Sequence, residues 1–319
     1  MKKCGIISVL FAIMLVFTGC GADKAQERTF TSMDTIMVLR AYGSGAAEAI
    51  ETAEREIESL DRDLDALDVD SCIGRLNADG IETVTDDALY IIDKALEIGD
   101  LTDEAFDITI APVMELWDFE NGGTVPSESD IASALDKVNY KNIGIAGNNI
   151  ELQSGMKIDL GGIAKGYAGD KFREVMANCE VESAMAYLGG NVALVGVKPD
   201  GTLWRVAIQD PQNENERLGV ISAHDCSIVT SGGYQRYFEC DGKRYHHIID
   251  PKTGYSADSG LTSVTVISDD GTRADGLSTA LFVMGEEKAL ELWRKNDDFE
   301  LVLVTEDGRV LVTLSLIHI

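Results

Sequence analysis

The densest chemistry lies in Asp159-Leu160-Gly161-Gly162-Ile163-Ala164-Lys165-Gly166-Tyr167. An extended run ends on an acid, two glycines turn the backbone without a Cβ clash, and a helix begins whose free N–H groups favour an anion such as a phosphate. An ordinary strand-to-helix turn with an acid near the helix start has the same features, and the spacing matches neither GxxxxGK[ST] nor GxGxxG. In a second segment, Ala274-Asp275-Gly276-Leu277-Ser278-Thr279-Ala280, a helix puts Asp275 and Thr279 four apart on one face with Ser278 alongside. One carboxylate and two hydroxyls suit a hard cation such as Mg²⁺, although Asp before a helix also serves as a simple N-cap. A third, His246-His247-Ile248-Ile249-Asp250-Pro251-Lys252-Thr253-Gly254, offers an imidazole near an acid that can accept a proton from a hydroxyl nucleophile, or a purely structural histidine. A fourth, Ala105-Phe106-Asp107-Ile108-Thr109 with Pro112 and Trp117, can hold a flat ring or merely pack.

The elements that must position these residues follow from periodicity. Residues 28–42 read as a strand region broken at Met33-Asp34-Thr35. From Ser44 the period becomes helical, with Ile50, Ala53, Ile57, Leu60, Leu64 and Leu67 inward and acids on the other, solvated face. A second helix follows Thr85, with Leu89, Ile92 and Leu96 inward, and a third follows Pro126, where Ser127-Glu128-Ser129-Asp130 resembles a capping box. After residue 140 short β segments dominate: around Ile143 and over 156–160, 184–188, 192–197, 203–208, 227–230, 244–249 and 263–267. Helices near 163–178 and 274–284 interrupt them. Segregated helices and hairpin-spaced strands predict an α+β fold with a mostly antiparallel sheet.

The chain has 319 residues and 45% hydrophobic content, enough for a substantial core in one large domain or two intimate lobes. Its 27 Lys and Arg against 55 Asp and Glu give a formal charge of −28, which argues against nucleic acid as a partner. The same charge repels an anionic dinucleotide or an anionic membrane, so a ligand of that kind needs a cation and membrane attachment needs a covalent anchor. Residues 1–19 read as a targeting segment: Lys2 and Lys3, an apolar run over 5–17, then Thr18-Gly19 before Cys20. That pattern resembles a bacterial lipoprotein signal, in which Cys20 is acylated, for example with palmitate, and becomes the mature N-terminus; the run is short for a spanning helix. Residues 20–28 are then a tether, 29–314 the folded domain, and 315–319 an apolar tail without pattern. Cys72, Cys179, Cys226 and Cys240 show no metal-ligand spacing; one disulfide or four thiols are both open.

The order of the segments is more specific than any one of them. Met33-Asp34-Thr35, residues 71–77, 105–117 and 159–166, Gly189-Gly190-Asn191, residues 204–211, Val229-Thr230-Ser231-Gly232, and residues 247–254 and 274–285 together resemble the ApbE family, the FAD:protein FMN transferases, over residues 29–305. The resemblance implies a single, T-fold-like α+β domain of two lobes, with FAD bound between them and Mg²⁺ at its pyrophosphate. It implies metal ligation by the Gly162 carbonyl, Asp275, Ser278 and Thr279, and flavin contacts from Met33, Ala105, Phe106, Asp107, Asp159, Lys165 and Ile249. His247 is the implied proton-transfer group and, with Asp275, a catalytic position. In this sequence Asp34 follows Met33 where the family usually has Gly, and Ser278 stands where some relatives carry Asp. The implied reaction moves FMN from FAD to a Thr or Ser hydroxyl of an acceptor protein and releases AMP. Implied acceptors are flavin-carrying subunits of Rnf- or Nqr-like membrane complexes with an S/T-G-A-T-like site, met on the outer face of the cytoplasmic membrane, the periplasmic side in a Gram-negative cell. The alternatives are a Mg²⁺-dependent FAD pyrophosphatase yielding FMN and AMP, and a non-enzymatic flavin-binding lipoprotein.

Overall fold

The computed structural model describes residues 24–296 and 298–313; the signal segment, Cys20 and the 315–319 tail lie outside the described residues. In chain order the elements are β1 (Gln26–Ser32), β2 (Thr35–Tyr42), α1 (Ala46–Leu64), α2 (Cys72–Asp79), β3 (Ile81–Thr83), α3 (Asp86–Leu101), α4 (Ala111–Trp117), α5 (Glu128–Leu135), β4 (Gly144–Ala146) and β5 (Asn149–Glu151). There follow α6 (Ala164–Asn178), β6 (Ser183–Leu188), β7 (Asn191–Val195), β8 (Trp204–Asp210), β9 (Asn213–Ala223), β10 (Ser227–Gly232), β11 (Tyr237–Cys240), β12 (Lys243–His246), β13 (Leu261–Ser268), α7 (Gly271–Met284), α8 (Glu286–Lys295), β14 (Glu300–Thr305) and β15 (Val310–Val312).

Eight strands form one antiparallel sheet in the order β1-β2-β6-β7-β10-β13-β14-β15. Helices α1, α6 and α7 pack on one face of it, enclosing the main core around Leu39, Ile57, Phe172, Val264 and Leu277. The β8–β9 hairpin covers the other face through Trp204, Ile208 and Ile221 against Leu194 and Ile228. This is the predicted α+β architecture.

Several expectations need adjusting, each for a local reason. Helix α1 buries Ile50, Ala53, Ile57, Leu60 and Leu64, but it ends there and leaves Leu67 65% exposed. The carboxylate of Asp65 accepts the Leu67 N–H at 2.8 Å, offering the backbone a turn in place of another helical bond. Residues 156–160 run extended but join no strand ladder. The Asn77 side chain substitutes for a strand partner, donating to the Ile158 carbonyl at 2.8 Å and accepting its N–H at 2.7 Å. Helix α7 begins at Gly271, a turn earlier than the pattern around Ala274 suggests, because Asp270 caps it by accepting the Arg273 N–H at 2.8 Å. Asp275 is therefore inside the helix and is not its N-cap. Ser127 does cap α5, accepting the Asp130 N–H at 3.2 Å. Strand β1 starts at Gln26, within the expected tether, because residues 26–28 pair with 39–41. Cys72, Cys179, Cys226 and Cys240 are free thiols.

Candidate active site

Helices α6 and α7 come closest at Gly166 and Gly271, where neither has a Cβ. A Cβ on Gly166 would lie 2.2 Å from the Gly271 carbonyl oxygen and 2.6 Å from Asp275 Cβ. At this distance the Gly166 N–H donates to Asp275 Oδ2 at 2.7 Å. Gly166 is the third residue of α6, so its N–H has no acceptor within the helix, and Asp275 satisfies it; the Gly162 carbonyl lies ahead of the Ile163 cap, outside the helical ladder. A second bridge fixes the crossing: Asp170 on α6 accepts the N–H groups of Gly271 and Thr272 at 2.9 and 2.7 Å and the Thr272 hydroxyl at 2.6 Å. Asp275 then follows one turn into α7.

Only 4% of Asp275 is exposed, and burial pushes its carboxyl above the usual carboxylate range. The Lys165 charge opposes that shift most, followed by Asn191 and the Gly166 N–H. Asn191 is equally buried, and although it approaches the carboxylate its Nδ2 completes no hydrogen bond of full geometry. Three hydroxyls converge beside the acid. Ser231 Oγ lies 2.7 Å from Ser278 Oγ and 3.2 Å from Thr279 Oγ1, while Ser278 donates to the Asp275 carbonyl at 2.9 Å. Thr279 Oγ1 would stand 3.9 Å from a Cβ on Gly162, and the Phe106 ring 3.1 Å from it. The Gly162 turn, α7 and Phe106 thus meet at one place. Its donors are hard oxygens with a single formal charge, a set that suits Mg²⁺ and not a thiol- or imidazole-seeking metal. Among the described residues no group of three His, Cys, Asp or Glu side chains is arranged to hold a metal, so a cation here would need main-chain and hydroxyl oxygens to complete its ligand set.

His247 follows β12 directly. Its Nδ1 lies 3.1 Å from the Arg236 carbonyl, which can only accept, so Nδ1 carries the proton and Nε2 keeps its lone pair. Burial, then the Arg236 charge, push the imidazole down to about 4; His246 and Lys165 add smaller effects in the same direction. Lys165 therefore acts on both Asp275 and His247, with its Nζ donating to the Gly161 carbonyl at 3.1 Å. Asp159 is half-buried and accepts the Gly161 N–H at 2.7 Å, which shapes the turn before α6.

Two hairpin turns lie at the same end of the sheet, as the pairings Met37 with Leu188 and Leu188 with Asn191 require. Met33 and Asp34 form one with φ of 48° and 58°, and Gly189 and Gly190 form the other with φ of 62° and 109°. A Cβ on Gly189 would strike Thr35 Oγ1 at 2.3 Å, so the turns are packed together. A left-handed methionine is strained by about 1–2 kcal/mol, and such strain concentrates at ligand sites.

The remaining predicted residues are placed differently. Phe106 is buried beside the Gly162 turn, and Ala105, the residue before Phe106, is buried as well. Both Asp107 oxygens are engaged within the protein: Oδ1 accepts the Thr109 N–H and hydroxyl at 2.7 and 2.6 Å, and Oδ2 the Tyr140 N–H at 3.1 Å. Ile249 is 6% exposed in a separate cluster with Val113, Trp117 and Ile131. Asn191, Ser231 and Asp170 had no assigned roles in the sequence. The motifs Gly189-Gly190-Asn191 and 229–232 contain the first two, but separations of 47 and 48 residues between Ser231 and its hydroxyl partners leave no spacing signal.

A family model described as the ApbE family matches residues 33–303. The FAD:protein FMN transferase of Treponema pallidum is 32% identical, covering 98% of this chain and 94% of its own. That of Vibrio cholerae is 31% identical over 94% of each. A crystal structure of the Thermotoga maritima ApbE protein superposes with a TM-score of 0.86 at 31% identity, covering 92% of this chain and 98% of its own. The flavin transferase ApbE from Vibrio cholerae gives 0.83 at 26% identity, covering 93% and 99%.

Proposed function

The chain belongs to the ApbE family, and from that premise we propose that it is an FAD:protein FMN transferase, moving FMN from FAD to a Thr or Ser hydroxyl of an acceptor protein and releasing AMP. The observation that carries the reading is the meeting of buried Asp275, the Ser231-Ser278-Thr279 hydroxyls and the Gly162 turn, with Lys165 acting on both Asp275 and a neutral His247.

Asp275, Ser278, Thr279 and the Gly162 carbonyl would hold Mg²⁺, with Ser231 and Asn191 supporting them. When bound, the ion neutralises pyrophosphate charge that an acidic chain otherwise repels. Lys165 steadies a phosphate oxygen from the start of α6. The acceptor hydroxyl attacks the FMN-side phosphorus; its oxygen–phosphorus bond forms as the bond to the AMP oxygen breaks, and His247 Nε2 takes the hydroxyl proton. Met33, Phe106 and the Asp159 turn are the proposed flavin contacts, with Ala105, Asp107 and Ile249 supporting them from the protein interior.

Incubation of the protein with FAD, Mg²⁺ and a protein bearing an S/T-G-A-T-type site tests the reading. A mass gain equal to FMN on the acceptor is expected. Free FMN without labelling would indicate a pyrophosphatase, and intact bound FAD a storage protein. We also propose export and acylation at Cys20, with Rnf- or Nqr-like subunits as acceptors on the outer membrane face. Metabolic palmitate labelling that survives Cys20→Ala would overturn the anchor.

A further inference from the structure

The β11–β12 hairpin leads into His247 and forms no part of the main sheet; among the described residues its two strands pair only with each other. Its turn, Asp241-Gly242, has φ of 51° and 78°, so the flanking Cys240 and Lys243 form a hydrogen-bonded pair. Alternation then sets the rest: Phe238 pairs inward with Tyr245 and Arg236 with His247, as the His247 N–H donation to the Arg236 carbonyl at 3.1 Å requires. The main-chain groups of Tyr237 and Glu239 therefore point to the outer edge of β11. On β12 the outward N–H groups are those of Arg244 and His246, and that of His246 is already donated to Ser256 Oγ at 3.0 Å.

One face of the hairpin is anchored, since Phe238 and Tyr245 stack near Trp117 at centroid distances of 6.3 and 5.2 Å. The other is open only toward the turn: Tyr237 is 41% exposed with the Arg244 guanidinium 4.0 Å above its ring, while His246, paired with Tyr237, packs its ring 5.4 Å from that of Phe282. Over residues 236–247 three cations, Arg236, Lys243 and Arg244, face two acids, Glu239 and Asp241, and Arg244 pairs with Glu239 at 3.4 Å, in a chain whose net charge is −28. An exposed strand edge, an aromatic–cation platform and a local excess of positive charge adjoin the proposed proton acceptor.

From this arrangement we infer that the β11 edge is the docking strand for the acceptor polypeptide. The acceptor adds an extended segment to Tyr237–Cys240 by main-chain hydrogen bonds, with acidic flanks facing Lys243 and Arg244, and its hydroxyl is carried toward His247. The inference rests on the transferase reading and adds to it the place where the protein substrate binds.

Two variants and one exchange measurement test it, using the S/T-G-A-T-bearing protein as probe. Glu239→Pro removes one outward N–H from an edge strand, where proline is tolerated. The double variant Lys243→Glu, Arg244→Glu reverses the local charge. Each is expected to lower kcat/KM for the acceptor at least tenfold while FAD binding, read by flavin fluorescence, stays within twofold. Equal acceptor kcat/KM in wild type and both variants would overturn the docking strand while leaving the transferase reading intact; absence of transfer by the wild type would overturn both. If Glu239→Pro fails to fold, hydrogen exchange on the wild type with a probe whose acceptor Thr is Ala decides. Slowed exchange at Tyr237 and Glu239 is expected, and unchanged exchange there overturns the inference.

Discussion

His247 and Asp275 are both held in their uncharged direction by burial, with opposite consequences for each. Burial pushes His247 down to about 4 from 6.5, so its imidazole is neutral and able to accept a proton throughout the physiological range. Acceptor kcat/KM should fall at acid pH along a limb near 4; a limb near 6.5 would mean that another group takes the proton. His247→Ala should lower transfer by about 10²- to 10⁴-fold, the usual range for a general base, and leave FAD binding unchanged. Because the folded value lies below the unfolded one, stability is full above about 6.5 and declines as pH falls toward about 4. A thermal melt series should show that decline flattened in the same variant. The raised Asp275 carboxyl is a different case, since an ionised, buried carboxylate destabilises the fold until a cation neutralises it. Mg²⁺ should therefore raise the melting temperature of the wild type and not that of Asp275→Asn. An equal shift in both would place the cation elsewhere.

The α6–α7 crossing is the element that makes these groups meet, and it depends on contacts invisible in either helix alone. Gly166→Ala forces a Cβ to within 2.2 Å of the Gly271 oxygen. Overpacking of this kind costs about 1–3 kcal/mol, and it also separates the Gly166 N–H from Asp275. Chemical denaturation should show that loss of stability, and activity should need more Mg²⁺; a variant with wild-type stability and Mg²⁺ dependence would mean the helices absorb the methyl elsewhere. Periodicity announced α6 and α7 as helices, and the i, i+4 rule put Asp275 and Thr279 on one face. Periodicity could not show that Asp170, 101 residues before Gly271 in the chain, fixes where α7 starts. The extended 156–160 run was equally legible as backbone, but its partner is the side chain of Asn77, 81 residues away, which no strand pattern encodes. Short-range rules recovered the elements carrying the site, whereas Ser231, Asn191 and Asp170 required the fold.

For the whole molecule, the net charge of −28 makes binding of an anionic dinucleotide a problem that its local site has to solve. The cations near the site are few: Lys165, already donating to Gly161, and Arg236 beside His247. The pyrophosphate would therefore meet a negative field with little fixed positive charge, and on the proposed reading a divalent ion among the Asp275, Ser278, Thr279 and Gly162 oxygens would supply the difference. This separates the two halves of the ligand. Riboflavin carries the same ring and no phosphate, so its affinity should change little when Mg²⁺ is removed with EDTA, whereas FAD affinity should drop at least tenfold. Raising ionic strength without Mg²⁺ should recover part of the FAD loss, because salt screens the long-range field and leaves the vacant coordination unchanged. Equal loss for riboflavin and FAD on chelation would mean that the ion organises the ring pocket, and the charge of the chain would then have no bearing on why the metal is needed.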